Sequence, residues 1–325
     1  MKRIRWIDAA KGIGICLVVL GHCQISDMVQ NIITSFHMPL FFFLAGYVYR
    51  PKGSSLSDFC VSRARTILWP YVFFTLLSIC ASFCRKLIGQ EITLEQIFGG
   101  FIRMGFVESN PPLWFLRSIF VVEILFFLYQ KLQKNHPVDF FWVYLILVLE
   151  FISGWNFYTR TVNGFVFYAL GYTMRNFAVL EKVEKYKIPV CILSAVGFLL
   201  AFSNNRYDIS IVTHNCVIPF VLITHMGILC IITLSMCFAG GKWNLLEYLG
   251  RNSLVILGTH VLIKDVISVC LQIVWKNDSF MDVKSNLNAF ATTAVILVIS
   301  CVSAEIINRY FPFVLGRCKK APSMQ

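Results

Sequence analysis

Two histidines stand fifteen residues apart near the start of the chain. His22 ends the run Lys11-Gly-Ile-Gly-Ile-Cys-Leu-Val-Val-Leu-Gly-His22, and His37 lies in Ser35-Phe-His-Met-Pro-Leu-Phe-Phe-Phe43. Imidazole both takes and returns a proton near neutrality. An ionisable group inside an apolar run is costly to bury and marks a functional site by default. With the two runs as neighbouring spans, one ring can take a hydroxyl proton while the other orients substrate or stabilises charge. For His37 an interhelical hydrogen bond explains the residue equally well. Pro39, inside the same span, points to an irregular, cavity-lining helix.

Other charged side chains fall around this pair. Lys11 precedes His22 by eleven residues, three helical turns plus about 20°, so both project from one face about 16 Å apart. Arg63 and Arg65 precede the third span, with Arg50 and Lys52 nearby. They read either as membrane anchors or as a clamp for the phosphates of an anionic donor. Arg117 and Glu123 share the fourth span but sit about 120° apart, so each needs a partner elsewhere. Glu150, Asp265 and Glu305 are also within or near spans. His260 and Lys264 form an i, i+4 pair in the ninth span, and His225 in the eighth reads as structural. No histidine or cysteine spacing supports a metal, so none is expected. A GxSxG elbow, a Walker A loop, a Rossmann fingerprint and an HExxH pair are all absent.

The elements that position these groups are set by composition. Of 325 residues, 57% are hydrophobic and 14% charged, against about 25% charged in soluble domains. The chain reads as an all-α, polytopic integral membrane protein of about ten transmembrane helices, roughly 8–26, 30–49, 66–84, 113–131, 138–155, 160–178, 188–204, 216–238, 253–275 and 287–307. Residues 1–325 form one transmembrane domain with no fused soluble domain. With the N-terminus inside, 20 of the 29 lysines and arginines fall in inner segments and 7 in outer ones. Both termini are therefore expected in the cytoplasm. The formal charge of +12 is explained by this placement, and no nucleic-acid partner is expected. The apolar positions of the loop 85–112 are spaced as an amphipathic helix on the outer interface. The scattered cysteines read as packing residues.

Arg5-Trp-Ile-Asp8-Ala-Ala-Lys11-Gly, the Val18-Val-Leu-Gly-His22 that follows, and Phe36-His-Met-Pro-Leu-Phe-Phe-Phe-Leu-Ala-Gly46-Tyr47 resemble the membrane-bound acyltransferase family 3, closest to its fucose 4-O-acetylase-like branch. Arg65-Thr-Ile-Leu-Trp-Pro70-Tyr71, Pro112-Leu-Trp-Phe-Leu116 and Leu249-Gly-Arg-Asn-Ser253 extend the resemblance along essentially the whole chain. It implies a ten-helix enzyme of the bacterial inner membrane that O-acylates a glycan or lipid-linked glycan from acetyl-CoA. The family's basic-residue-x10-His motif falls on Lys11 and His22, with His22 catalytic and His37 beside it, and its early acid falls on Asp8. The Arg-x-x-Arg motif is met here by Arg63-Ala-Arg65, one residue closer. Lys11, Arg63 and Arg65 are the expected donor-binding cations, and Asp8, Arg117 and Glu123 the polar groups lining the pore. Three other readings stay open: a transporter or flippase of a lipid-linked sugar or small metabolite, acyl transfer to a non-carbohydrate acceptor, and a structural membrane subunit with no chemistry.

Overall fold

A computed structural model of the chain describes residues 3–50, 55–87, 110–133, 159–202, 217–241, 244–275 and 285–317, with isolated positions at 93, 138, 142–145 and 148. Every regular element among them is a helix, as a bilayer demands of backbone that must satisfy its own hydrogen bonds. Six helical stretches are long and apolar enough to cross a membrane: Asp27–Val48, Leu56–Leu87, Pro111–Leu132, Pro219–Phe238, Ser253–Leu271 and Asn286–Tyr310. Lys187–Ala201 is a shorter apolar helix. The protein is thus an all-α, multi-pass membrane protein. Most of the expected fifth span, 138–155, and most of the loop 85–112 lie outside the described residues, as does Glu150.

Helix α1 (Arg5–Gly21) is the hub. It packs against α2 (Asp27–Thr34), α3 (His37–Val48), α10 (Val217–Phe238), α11 (Leu245–Arg251), α12 (Ser253–Trp275) and α13 (Asn286–Tyr310). Its tightest neighbour is α11. A Cβ on Gly12 would sit 1.9 Å from the Leu246 carbonyl oxygen, and one on Gly250 would sit 1.8 Å from that of Asp8. Only glycine on both helices permits so close an approach. The same device joins α3 to α7 (Thr159–Asn176): Gly46 abuts the Tyr168 carbonyl and Gly171 that of Phe43. An ion pair latches the N-terminal end of α1. Arg5 Nε lies 3.0 Å from Glu247 Oε1, and its Nη2 donates to the Gly241 carbonyl at 2.8 Å. Burial alone would raise the Glu247 pKa, but Arg5 and the Gly240 amide hold the carboxyl below the ordinary glutamate range.

Two local readings of the sequence are corrected. The first concerns His22, which does not lie inside α1 but caps its end, with φ −96° and ψ 0°. The final turn tightens: the His22 amide donates to the Val19 carbonyl at 3.1 Å and the Cys23 amide to Leu20 at 3.0 Å. The second concerns where the irregularity near Pro39 falls: it lies just before α3, not inside it. Pro39 is the third residue of α3, in the first turn, where a missing N–H has no intrahelical partner to lose. The break falls earlier, at Phe36 (φ −142°, ψ −18°), between α2 and α3. Ser35 lies four residues before Pro39, whose missing N–H leaves the Ser35 carbonyl free, and the Thr224 hydroxyl of α10 donates to it at 2.8 Å.

The remaining helices are α4 (Leu56–Arg63), a single π turn (Ala64–Leu68), α5 (Trp69–Leu87), α6 (Trp114–Leu132), α8 (Val179–Lys185) and α9 (Lys187–Ala201). A short 3-10 turn, Pro312–Leu315, follows α13 and packs back on α5 and the π turn.

Candidate active site

The site is built where α1 ends. His22 is half-buried, and its ring lies 5.3 Å from that of His260 on α12, tilted by 52°. The Lys264 ammonium, one turn further along α12, donates to the His22 carbonyl at 2.6 Å. A cation on the last carbonyls of a helix satisfies an orphan acceptor and complements the helix dipole. His37 opens α3 and, with His260 and Lys264, lies within electrostatic reach of His22. Three helices thus bring three imidazoles and an ammonium to one end of α1.

The hydrogen bonds fix how these rings can act. His37 Nδ1–H donates to the Ile33 carbonyl at 2.8 Å, and His260 Nδ1–H to that of Ile256 at 2.9 Å. A carbonyl oxygen only accepts, so Nδ1 carries the proton in both rings. In the neutral form each then presents a lone pair at Nε2. His260 is 1% exposed, yet among the described residues its Nε2 has no hydrogen-bond partner. Close packing holds it there. Gly258 lets α12 press on Phe74 of α5, and the Asn110 amide donates to both Ser78 Oγ and the Gly258 carbonyl at 3.0 Å.

A cavity of about 190 Å³ runs inward from Lys11 between α1, α3, the π turn, α6 and α12. Apart from Lys11, Thr66 and Ser253 its walls are apolar. Met38, next to His37, and Leu257, one turn from His260, also line it. Among the described residues the Lys11 ammonium has no hydrogen-bond partner, although Asp8 and Glu123 act on it electrostatically. The cavity thus carries the Lys11 ammonium in its wall, and its lining includes sequence neighbours of His37 and His260 but none of the three histidines.

The paired arginines part company. Arg63 turns into the bundle, where its Nε lies 3.0 Å from Glu123 Oε2 and its guanidinium covers the Phe59 ring at 5.0 Å. The pair is held by proximity and charge, because neither atom is aligned as a hydrogen bond. Arg65 turns the other way. With Arg317, Trp69, Tyr310 and Phe313 it lines an open groove of about 630 Å³. The π turn is the partition: Arg65 and, just beyond the turn, Trp69 face the groove, while Thr66 and Ile67 face the inner cavity. Such turns concentrate at functional sites.

The other expected polar residues are placed as follows. Asp8 is buried and ion-paired with Arg3. Arg117 is half-buried near Tyr71 and has no acidic partner among the described residues. Glu123 finds its counter-charge in Arg63. Asp265 pairs with Arg85, and Glu305 accepts from the Tyr248 hydroxyl at 2.6 Å. Among the described residues no cluster of three or more metal-ligating side chains occurs. The sequence reading left His260 and Lys264 out of the site. Their i, i+4 spacing in an apolar span was the signal, but nothing in it says that α12 meets α1.

The model of acyltransferase family 3, described as an acyltransferase domain, matches residues 4–305. The match covers every element from α1 into α13, the inner cavity and all three histidines, and it stops short of the Arg317 side of the groove. No curated protein and no solved structure matches the chain significantly.

Proposed function

The chain belongs to this acyltransferase family, and from that premise we propose that it moves an acetyl group from acetyl-CoA to a sugar hydroxyl of a surface polysaccharide or its lipid-linked precursor. The observation that carries the reading is the cavity itself, lined by the Lys11 ammonium and by residues next to His37 and one turn from His260. At 190 Å³ it holds about six waters' worth of liquid, at about 30 Å³ each. That suits a short acyl thioester better than a fatty chain.

The donor's phosphates would meet Arg65 and Arg317 in the outer groove, where aromatic side chains offer a face to its base. The thioester arm would pass the π turn into the cavity and reach past Lys11. At the far end His22 acts as general base. It takes the acceptor's hydroxyl proton as that oxygen attacks the thioester carbonyl; the carbon–sulfur bond breaks, and the departing thiolate recovers a proton from the imidazolium. Arg117, or His37 in the form protonated at both nitrogens, stabilises the oxyanion. This arrangement belongs in a bacterial inner membrane with both termini cytoplasmic, so that coenzyme A enters from the cytosol.

The test is the O-acetyl content of the host's surface polysaccharide, read by NMR before and after mild base. A deletion strain is compared with strains complemented by wild type or by His22→Ala at equal membrane level. Loss restored only by wild type supports the reading. An unchanged signal in every strain overturns the glycan acceptor, and transfer that survives His22→Ala overturns the general base.

A further inference from the structure

We propose that His260 works as the second half of a histidine pair, its Nε2 lone pair receiving the ring proton that His22 carries on the nitrogen turned away from substrate. The inference rests on the reading of His22 as the general base.

Three observations converge on it. The two rings are neighbours at 5.3 Å, contributed by helices whose histidines are 238 residues apart in sequence. The carbonyl of Ile256 pins the proton of His260 on Nδ1, leaving Nε2, at the far edge of the ring, as an acceptor. That acceptor is buried and has no partner among the described residues, and a polar atom left so in a packed interior calls for an explanation. A catalytic base is usually oriented by a third group that accepts its other N–H. Here no carboxylate takes that part. The groups acting on His22 are His260, His37 and Lys264, and Asp265, next along α12, is committed to Arg85. The Thr293 hydroxyl on α13 donates to Cys23 Sγ, not to His22. The neutral imidazole of His260 is therefore the acceptor assigned to the His22 N–H during the reaction; in the resting structure the two rings are neighbours without a hydrogen bond between them.

The balance is simple. The acceptor's O–H bond breaks and a proton joins His22 on one nitrogen. The proton on its other nitrogen is shared with, or passes to, His260 Nε2. When the carbon–sulfur bond breaks, the thiolate takes a proton from His22, and the shared proton returns from His260. Nothing is oxidised or reduced. Lys264 keeps this pair in register by holding the His22 backbone from the same helix that carries His260. His260 is thus a positioning residue, acting through His22.

Two variants and two readouts test it in the full-length protein reconstituted in lipid vesicles. His260→Phe keeps a planar ring and removes Nε2; His260→Gln keeps a hydrogen-bonding head. Acetyl transfer from acetyl-CoA to a soluble glycan acceptor is measured against pH. In parallel, nitrogen-15 NMR of labelled histidine, assigned with His22→Asn, follows the titration of the His22 ring without any substrate. The expected result is a ten- to hundredfold fall in kcat for His260→Phe at unchanged donor KM, a moved limb of the pH profile, a moved His22 titration, and partial recovery in His260→Gln. If His260→Phe leaves both kcat and the His22 titration as in wild type, the pair is refuted. Should His260→Phe fail to fold, His260→Gln carries the same two measurements. If transfer survives His22→Asn, the general-base reading falls instead, and the NMR titration still decides whether the two rings are coupled.

Discussion

His225 and His260 sit alike, each within a long apolar helix with Nδ1–H bonded to the carbonyl four residues back, at 2.6 and 2.9 Å. They differ at the other nitrogen. His225 Nε2 pairs with the Tyr144 hydroxyl at 2.9 Å, and its ring lies against Phe167. His260 Nε2 has no partner among the described residues, and its ring lies against another histidine. A histidine whose two nitrogens are both satisfied belongs to the packing. One with a free second nitrogen beside another imidazole can take the part proposed for His260. Across the whole molecule, α10 with its neighbours is a settled core, whereas the end of α1 is an arrangement kept chemically unfinished.

That contrast is breakable. The largest effect is expected for His22→Ala, which should lower acetyl transfer by about 10²–10⁴-fold, the usual worth of a general base. His225→Phe, assayed in the same vesicles, should stay within about twofold of wild type while losing about 1 kcal/mol of stability with its hydrogen bond. Equal losses in the two variants would erase the distinction. Next, Arg65→Ala combined with Arg317→Ala should raise the donor KM with kcat kept. Charge-assisted hydrogen bonds are worth roughly 1.5–3 kcal/mol, and each 1.4 kcal/mol is about tenfold in binding. A fall in kcat at constant KM would move the donor out of the groove. Smaller still, Lys264→Met frees the His22 carbonyl and should lower kcat by roughly 3–10-fold through lost positioning. Its thermal melt should barely move. The smallest effect concerns the opposite end of α1. The folded Glu247 carboxyl sits below the ordinary glutamate range, so its ion pair with Arg5 stabilises the fold fully above that range. The contribution fades as pH falls through the lowered folded value. Acid melts of wild type and Glu247→Gln should therefore converge at low pH and separate near neutrality. Parallel curves would show that the latch does not depend on charge.

Much of this was legible in the chain, and the illegible part has one cause. Composition alone gives an all-α membrane protein, and apolar surroundings alone single out His22. The need of Glu123 for a counter-charge could be inferred from its depth, but that Arg63 supplies it could not. Periodicity describes the faces of one helix and says nothing of which helices meet. The same limit hid His260, whose i, i+4 link to Lys264 was visible while its contact with α1 was not. Local errors came from reading average geometry into particular residues. Pro39 was placed inside a span that starts at residue 30, whereas the chain breaks at Phe36 and the carbonyl that the proline leaves free, Ser35, lies before the break and is bonded by Thr224. The glycines of the reciprocal pairs were read as motif letters, although each marks a place where two backbones touch.

The π turn at Ala64–Leu68 makes the number of residues in this stretch a quantity that the molecule must keep. Removing one residue there would let the ladder return to α-helical spacing and rotate everything upstream by about 100°. Arg63 would swing off Glu123, and Phe59 would leave the Phe127 ring it now stacks on at 4.4 Å. Glu123 would then be stranded without its counter-ion. One surplus residue acts as a phase offset between α4 and α5, deciding which guanidinium serves the interior and which faces the groove. Substitutions can be absorbed around it, but a change of length cannot.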